Sequence, residues 1–193
     1  MAILRMHAFQ PSRVNRRRCR GLLLVNIVLF LFRPAFAQVD EYQLKAAFLY
    51  NFAKFVEWPP HSFTSANEPI SICILGENPF GDILSRTISG KVVAGRGLEV
   101  RMLSPSDPPH GCHILFAAGS QSKKVRQAIS NEAGLGILTV GETPEFLTYG
   151  GIISFKLDHG NIRLAINVAA AECAQVRISS KLLNLAEIVR RAP

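Results

Sequence analysis

The sequence predicts an α/β protein: a single three-layer domain in which helices cover both faces of a mostly parallel sheet of about six strands, with a C-terminal β-hairpin. Two observations lead to this prediction. Short apolar runs bounded by glycine or proline alternate with segments of helical pattern, as buried parallel strands and their crossover helices do. Two further apolar runs are separated by Asp158-His159-Gly160, which is typical of a tight hairpin turn.

The first 37 residues have the three parts of a secretory signal peptide. Residues 1–20 carry six arginines and no acidic residue, residues 21–32 (GLLLVNIVLFLF) form an apolar run of 12, and Ala35-Phe36-Ala37 supplies the small residues of a cleavage site. A run of 12 is short for a membrane span, although an uncleaved anchor is the alternative. We expect cleavage after Ala37, a periplasmic location, and a mature α/β domain over residues 38–193 that does not insert into the membrane.

Removing the signal segment also removes most of the excess positive charge. Seven of the 22 lysines and arginines precede residue 38, and all 14 acidic residues follow it. The mature chain therefore has a net charge of about +1 rather than the +8 of the whole sequence. A nearly neutral domain lacks the basic surface that nucleic-acid binding requires, so we expect no nucleic-acid partner.

The first element of the mature chain, DEYQLKAAFLYNFAKFVEWPP (residues 40–60), is helical in pattern but apolar around nearly its whole circumference. The Trp-Pro-Pro sequence ends the helix, because proline lacks an N–H donor and disfavours helix in the residue before it. A sheet covers only one side of a helix, so the second apolar side needs another partner. We expect a homodimer contact built on Leu49, Ala53 and Val56.

The later elements are predicted from periodicity and from turn residues. Strands are expected at Pro69–Gly76, Leu98–Leu103, Cys112–Ala118, Leu135–Val140, Gly151–Leu157 and Asn161–Val168. Helices are expected over Phe80–Ile88, from Ser120 to about Glu132, over Thr143–Leu147, over Ala169–Gln175, and after Ser179 or Ser180, with Leu182, Leu185, Ala186 and Val189 facing inward. Leu98–Leu103 alternates apolar and charged residues, which predicts an edge strand.

Three cysteines follow the signal segment, which indicates one pair and one leftover thiol in an oxidising compartment. Cys73 and Cys112 lie on, or at the entry to, strands that a doubly wound order makes neighbours, and neighbouring strands bring Cα atoms within disulfide range. A Cys73–Cys112 bridge is one interpretation, and two buried free thiols are the other. Cys173 is expected to be a buried thiol, with an intermolecular link as the alternative.

The residue patterns favour a binding protein over an enzyme. Gly76–Gly81 joins a strand to a helix but completes no phosphate-binding motif, and Glu77 would repel an anion. His110, Cys112 and His113 are close in sequence, but no second ligand pair accompanies them. No G-x-S-x-G motif occurs. We therefore predict no catalytic activity, no metal and no cofactor.

Five segments together resemble the YfiR family across nearly the whole mature chain: KAAFLYNFAKFVEWP, ISICILGENPFG, CHILFA, ILTVGETPEFLTYGGIISF and NIRLAINVAAAECAQVRISSKLLNLA. The resemblance implies a periplasmic protein that holds back a membrane-bound diguanylate cyclase by binding its periplasmic sensor region. It thereby implies lower cyclic-di-GMP signalling and less biofilm. It also implies redox control, with Cys73 and Cys112 where the family's pair is expected.

The hairpin and the segment after it are the predicted partner-binding region, with Phe155, Arg163, Asn167 and Glu172 as contact residues. The mechanism would be a population shift, in which the protein binds the inactive state of the membrane sensor. A periplasmic small-molecule-binding protein that serves a transporter or a sensor kinase is the alternative hypothesis, because a sheet edge at a switch point forms such sites.

Overall fold

The computed structural model describes residues 36–117, 127 and 136–190. Gln38–Pro193 make up one compact unit, and the fold below is that of this unit. The predicted signal peptide, apart from its last two residues, lies outside the described residues and stays a prediction. Among the described helices, none is both long enough and apolar enough to cross a membrane.

The described elements follow each other along the chain as expected for an α/β domain. The helices are α1 (Phe36–Phe55), α2 (Ile83–Ile88), α3 (Pro144–Thr148), α4 (Val168–Cys173) and α5 (Ser180–Leu183), with a 3-10 turn at Pro60–Ser62. The strands are β1 (Val56–Glu57), β2 (Ile70–Leu75), β3 (Val92–Val93), β4 (Arg96–Leu103), β5 (Ile114–Ala117), β6 (Leu138–Gly141), β7 (Ile153–Asp158), β8 (Asn161–Asn167), β9 (Arg177–Ile178) and β10 (Ala186–Val189). The helix predicted from Ser120 to about Glu132 falls outside the described residues.

Eight of these strands form one sheet with the order β10-β8-β7-β6-β5-β2-β4-β3. Strands β4, β2, β5, β6 and β7 are parallel, and β7 and β8 form the antiparallel hairpin. The prediction of a mostly parallel sheet with a C-terminal hairpin is confirmed. The sheet has more than the expected six strands because short β3 and C-terminal β10 extend its two edges. In the hairpin turn, His159 and Gly160 have φ values of 48° and 81°, as a tight two-residue turn requires.

Apolar residues cover both faces of the sheet. One face carries Ile72, Ile74 and Phe116 and packs against α1, α2, α4 and α5 in the larger hydrophobic core. The other face carries Cys73, Leu75 and Leu115 and packs against α3 in a smaller core. We call these the α1 face and the disulfide face.

The three residues predicted for a homodimer contact on α1 are buried within the domain itself, which corrects that contact. Leu49 is 0 %, Ala53 2 % and Val56 6 % exposed, so these side chains offer no surface to a second subunit. The chain leaves the helix at Phe55, and Val56 pairs with Ile178 in the small β1–β9 sheet. The β1–β9 pairing and the hydrogen bond from the Ser179 amide to the Phe55 carbonyl hold the segment from β9 to α5 at the C-terminal end of α1, and apolar residues of α4 and α5 share the larger hydrophobic core with this helix.

The C-terminal segment also differs from the predicted helix. Helix α5 ends at Leu183, and Ser179 caps it by accepting a hydrogen bond from the Leu182 amide at 3.4 Å. Ala186–Val189 then form β10, parallel to β8. Leu185, expected to face inward, is 71 % exposed. As a strand, this segment forms backbone hydrogen bonds along the open edge of β8. As a further helical turn it would leave that edge unpaired.

Candidate functional site

Two of the four residues predicted to contact a partner are buried. Phe155 is 2 % exposed, and its ring lies 5.9 Å from that of Phe48 and 6.0 Å from that of Phe52. Asn167 is 0 % exposed, and its Oδ1 accepts a hydrogen bond from the Ala170 amide at 3.3 Å. Phe155 is therefore a core residue and Asn167 the N-cap of α4, which corrects their assignment as contact residues.

The other two predicted contact residues are exposed but lie on different elements. Arg163, on the hairpin, forms an ion pair with Asp158 at 2.7 Å. Glu172 lies on α4 and lines a surface groove. The structure thus leaves Arg163 and Glu172 accessible, and their role in partner binding stays a prediction.

The groove beside Glu172, which we call the α4 groove, is the candidate functional site. It has a volume of about 270 Å³ and is lined by Val168, Ala171, Glu172, Val176, Arg177, Ile178 and Leu183. Its charged side chains, Glu172 and Arg177, have opposite signs and are both exposed, and the remaining lining is apolar. An apolar depression with charges at its rim suits an apolar group flanked by polar ones.

Three local interactions build this groove. Asn167 starts α4 by capping it, which sets the direction of the helix that forms one wall. Arg177 and Ile178 form β9, which pairs with Glu57 and Val56 of β1. The Ser179 amide then donates to the Phe55 carbonyl at 2.9 Å, so the groove is tied directly to the C-terminal end of α1. Sequence reasoning missed Arg177, because the two-residue strand that presents it has no periodic signature.

The predicted pairing of Cys73 with Cys112 is confirmed. Their Cα atoms lie 5.8 Å apart, and the disulfide joins β2 to the residue two positions before β5. Cys73 is 0 % and Cys112 4 % exposed, so a reductant reaches the bond only after a local opening. The expectation for Cys173 was wrong, since this free thiol is exposed. Helix α4 turns Ala170 and Ala171 inward, which leaves Cys173 on the outside.

His113, which follows Cys112, is buried and fully hydrogen-bonded. Its Nδ1 accepts from the Ser71 amide at 3.1 Å, and its Nε2 lies 3.0 Å from the Ser62 carbonyl, to which only a protonated Nε2 can donate. The ring stacks on Phe63 with centroids 4.2 Å apart. Burial lowers the pKa of His113 more than its bond to Ser62 raises it. Both ring nitrogens serve backbone groups, so the ring acts here as a structural link rather than as a metal ligand.

Trp58 connects this histidine to the end of α1. Its indole Nε1–H donates to the His113 carbonyl at 3.0 Å, and its ring meets that of His113 edge to face. One continuous set of contacts therefore runs from the disulfide through His113 and Trp58 to the C-terminal end of α1. The hydrogen bond between Ser179 and Phe55 continues it to the α4 groove. A sequence pattern does not reveal this connection, because its members are far apart in the chain.

Lys45, which lies on the largely apolar helix α1, is the centre of a buried ion network. It is 3 % exposed, pairs with Glu41 at 2.6 Å and also with Glu142, which follows β6. The Tyr42 hydroxyl donates to Glu142 at 3.1 Å. Burial, followed by the charge of Glu142, raises the pKa of Tyr42. The network attaches the first turns of α1 to the carboxyl end of β6, and its polar members are internally paired.

These features define the class of the protein: a disulfide-bonded mixed α/β domain with a shallow surface groove as its candidate site. The chain belongs to the YfiR/HmsC-like family, whose family model matches residues 42–187. No curated protein matches it.

Among solved structures, the chain is similar at a low level to one titled as the ABC domain in complex with L-Trp from Streptococcus pneumonia. The two are 10 % identical, with a TM-score of 0.45 over 62 % of this chain and 55 % of that one. The chain thus spans about half the length of that structure, and a likeness of this size carries no functional argument.

Proposed function

We propose that the chain is a periplasmic regulatory binding protein that inhibits a membrane-bound diguanylate cyclase by binding its periplasmic sensor region. Membership of the YfiR/HmsC-like family across residues 42–187 is the observation that carries this proposal. Binding to the inactive state of the sensor would shift the population of the cyclase towards that state and so lower cyclic-di-GMP and biofilm formation.

The α4 groove supports this proposal as the contact surface. Its apolar lining receives an apolar side chain of the partner, and the opposite charges of Glu172 and Arg177 fix the orientation of the segment that carries it. Arg163 on the hairpin is a second accessible cation for the same partner. The contact is a docking surface, not a catalytic site.

Redox control belongs to the same proposal. Reduction of the Cys73–Cys112 bond by a dithiol takes two electrons and two protons and yields two buried thiols. The tie between β2 and the segment before β5 is then lost, which loosens His113 and Trp58 and, through the end of α1, the α4 groove. The reduced protein would bind its membrane partner more weakly.

Deletion of the gene tests the function. We expect higher cyclic-di-GMP and stronger surface attachment, both reversed by the wild-type gene. Complementation with Glu172→Ala or Arg177→Ala should fail at wild-type protein levels, whereas Glu145→Ala, a change at an exposed carboxylate on α3, should succeed. Unchanged cyclic-di-GMP and attachment in the deletion strain would disprove the proposed function.

Co-purification from solubilised membranes tests the partner and the redox step separately. A tagged chain should capture a membrane protein with a diguanylate cyclase domain without reductant and much less of it after dithiothreitol treatment. Capture that is equal in both conditions would remove the redox step and leave the inhibitory function intact. Capture of no cyclase in either condition would argue against the partner.

A second candidate function is that of a periplasmic small-molecule-binding protein, and the apolar lining of the α4 groove with charged residues at its rim supports it. At about 270 Å³ the groove is just below the roughly 300 Å³ at which small-molecule sites begin, so it would hold only a small ligand. The neighbouring genes separate the two functions: a membrane protein with a diguanylate cyclase domain beside this gene favours the first, and a hybrid kinase or an outer-membrane receptor favours the second.

A further inference from the structure

The buried residue His113 joins parts of the domain that are distant in the sequence. Its Nδ1 accepts a hydrogen bond from the Ser71 amide of β2 at 3.1 Å, and its Nε2 lies 3.0 Å from the Ser62 carbonyl in the loop between β1 and β2 (residues 58–69). Its carbonyl accepts from the Trp58 indole, at the start of the same loop. Because these bonds converge on one residue, the state of its ring decides how firmly the loop is held to the sheet.

Arg96 of β4 is a second residue that holds the β1–β2 loop. Its Nη1 donates to the Ser65 carbonyl at 2.9 Å and to the Glu68 carbonyl at 2.8 Å. Its guanidinium lies 3.8 Å from the centroid of the Phe63 ring, which also stacks on the His113 ring. One cation therefore already lies against Phe63, and a positive charge on His113 would be added close to it.

Only the neutral imidazole of His113 can make both ring bonds. It has one N–H, on Nε2, which donates to Ser62, and one unprotonated nitrogen, Nδ1, which accepts from Ser71. A proton added to Nδ1 would place a second N–H against the Ser71 N–H, and two donors cannot bond to each other. The imidazolium must therefore give up its bond to β2, and the loop that stacks on the ring loses support.

The same ring helps to hold Cys112, the residue before His113, close to β2. The ladder between β2 and β5 begins only at Ile114, so Cys112 lies outside it. Two described hydrogen bonds join Ser71 to His113, and the ring makes one of them. Loss of that bond frees the start of β5 to separate from β2. The disulfide, whose cysteines are buried, would then become accessible from this end.

We propose that protonation of His113 controls access to the Cys73–Cys112 disulfide: it releases the β1–β2 loop and the start of β5, and so lets a reductant reach the bond. This inference deepens the proposed redox control, because it names acidification as the condition that opens the buried disulfide. Its use in signalling rests on the proposed function, whereas the opening itself is a property of the isolated protein.

The charged groups around the ring set the direction of the effect. Burial is the largest influence on the pKa of His113 and lowers it. Glu68 of the loop and Glu99 of β4 raise this pKa, and Arg96 lowers it. The bond that Glu68 accepts from the Thr64 amide lowers the pKa of Glu68, so this carboxylate stays ionised at pH 5.5 and does not cause the change. Since the closed state has the lower histidine pKa, opening takes up a proton and increases as the pH falls below 6.5.

The test compares the rate of disulfide reduction at pH 7.5 and pH 5.5, in protein expressed from the full-length sequence with Cys173→Ala to prevent thiol exchange. The probe is tris(2-carboxyethyl)phosphine, which with one water becomes the phosphine oxide while the disulfide becomes two thiols. Oxidised glutathione, reduced in parallel, corrects for the effect of pH on the reductant. Relative to it, the rate should rise by up to about tenfold on acidification, the limit for a histidine with an ordinary pKa in the open state.

Two histidine variants assign this effect to one ring. His113→Gln should show no rise, because an amide does not titrate in this range. His61→Gln, the matched control at an exposed histidine of the same loop, should rise as the parent does. A corrected rate that is equal at both pH values, or an equal rise in folded His113→Gln, would overturn the proposal. Circular dichroism verifies folding.

Two further measurements need no change at His113. Below the unfolding transition, the rate at pH 5.5 should hardly depend on urea, because local opening exposes little surface. Nitrogen-15 NMR at pH 7.5 should find the His113 proton on Nε2. A rate that rises steeply with urea, or a proton on Nδ1, would also overturn the proposal. None of these measurements involves the membrane partner, so their failure would leave the proposed inhibition of the cyclase standing.

Discussion

Removing the disulfide should cost the domain a large part of its stability. Cys73 and Cys112 are 39 positions apart, and closing a loop of about 40 residues restricts the unfolded chain by roughly 4 kcal/mol in the chain-entropy model. Replacing both cysteines by alanine therefore should lower the free energy of unfolding by about 4 kcal/mol. With a urea dependence of about 2 kcal/mol per molar, the unfolding midpoint falls by about 2 M.

The assay uses a probe that the structure places beside the bond. Trp58 is the single tryptophan of the chain, and it is hydrogen-bonded to His113, the residue after Cys112. Its fluorescence should follow urea unfolding of the wild type, of the double alanine variant, and of wild type reduced with dithiothreitol. The reduced wild type keeps both side chains, so it separates loss of the bond from loss of packing at two buried positions.

The control is Cys173→Ala, which removes the exposed free thiol and should change the free energy of unfolding by less than about 0.5 kcal/mol. This change also prevents thiol exchange with Cys73 or Cys112, and it serves as the background for the double variant. A loss below about 1 kcal/mol on reduction would refute the loop argument. It would show that the unfolded chain is already compact around these two positions.

Three further changes address other buried features. Since burial lowers the pKa of His113, the folded state binds a proton less readily than the unfolded state. Stability should be complete above pH 6.5, the ordinary value, and should fall as the pH drops below it, whereas His113→Gln should flatten this dependence. Lys45→Met should lower the free energy of unfolding by about 2 to 3 kcal/mol, because it removes the cation that Glu41 and Glu142 share in a partly exposed site, and adding Glu142→Gln should recover part of the loss. Gly151→Ala should cost about 2 to 3 kcal/mol, because its new Cβ would overlap a phenylalanine ring of α3, whereas Gly97→Ala meets nothing within 4 Å and should be nearly neutral.

Urea unfolding followed by Trp58 fluorescence measures all three. The pH prediction fails if the stability of the wild type is the same at pH 7.5 and pH 5.5. It also fails if His113→Gln leaves the pH profile unchanged, because the pH dependence would then come from other groups. Equal losses for Lys45→Met with and without Glu142→Gln would show that the two residues are not coupled. A neutral Gly151→Ala would show that α3 shifts to accommodate a methyl group.

Much of the fold follows from local patterns. The run from Ile70 to Leu75 is short, apolar and closed by glycine, and all six residues are buried in β2. Asp158-His159-Gly160 marks the hairpin turn because its residues tolerate positive φ. The edge position of Leu98–Leu103 followed from its alternation of apolar and charged residues, and the structure places β4 beside the sheet edge. In each case the decisive information lies within one segment.

The candidate site was accessible to sequence reasoning only in part. Glu172 was predicted, and it lines the α4 groove together with Arg177, which was not. Phe155 and Asn167 lie in the same stretch of sequence, but one faces the core and the other caps α4. Polarity alone does not separate a buried cap from an exposed contact residue, because both are polar residues near the start of a helix.

The sequence by itself determined the α/β class, the positions of six strands, the hairpin, and Cys73 and Cys112 as the candidates for a bridge, because each depends on periodicity, turn chemistry or the neighbourhood of adjacent parallel strands. Only the tertiary structure decided what covers α1 and what the C-terminal segment becomes. Ala186–Val189 is apolar enough for a helix or a strand, and the unpaired edge of β8 made it a strand. The apolar excess of α1 predicts a subunit interface, whereas the structure buries Leu49, Ala53 and Val56 in the hydrophobic core of the domain itself. Burial depends on which distant segments return to a surface, and the sequence of that surface alone does not contain this information.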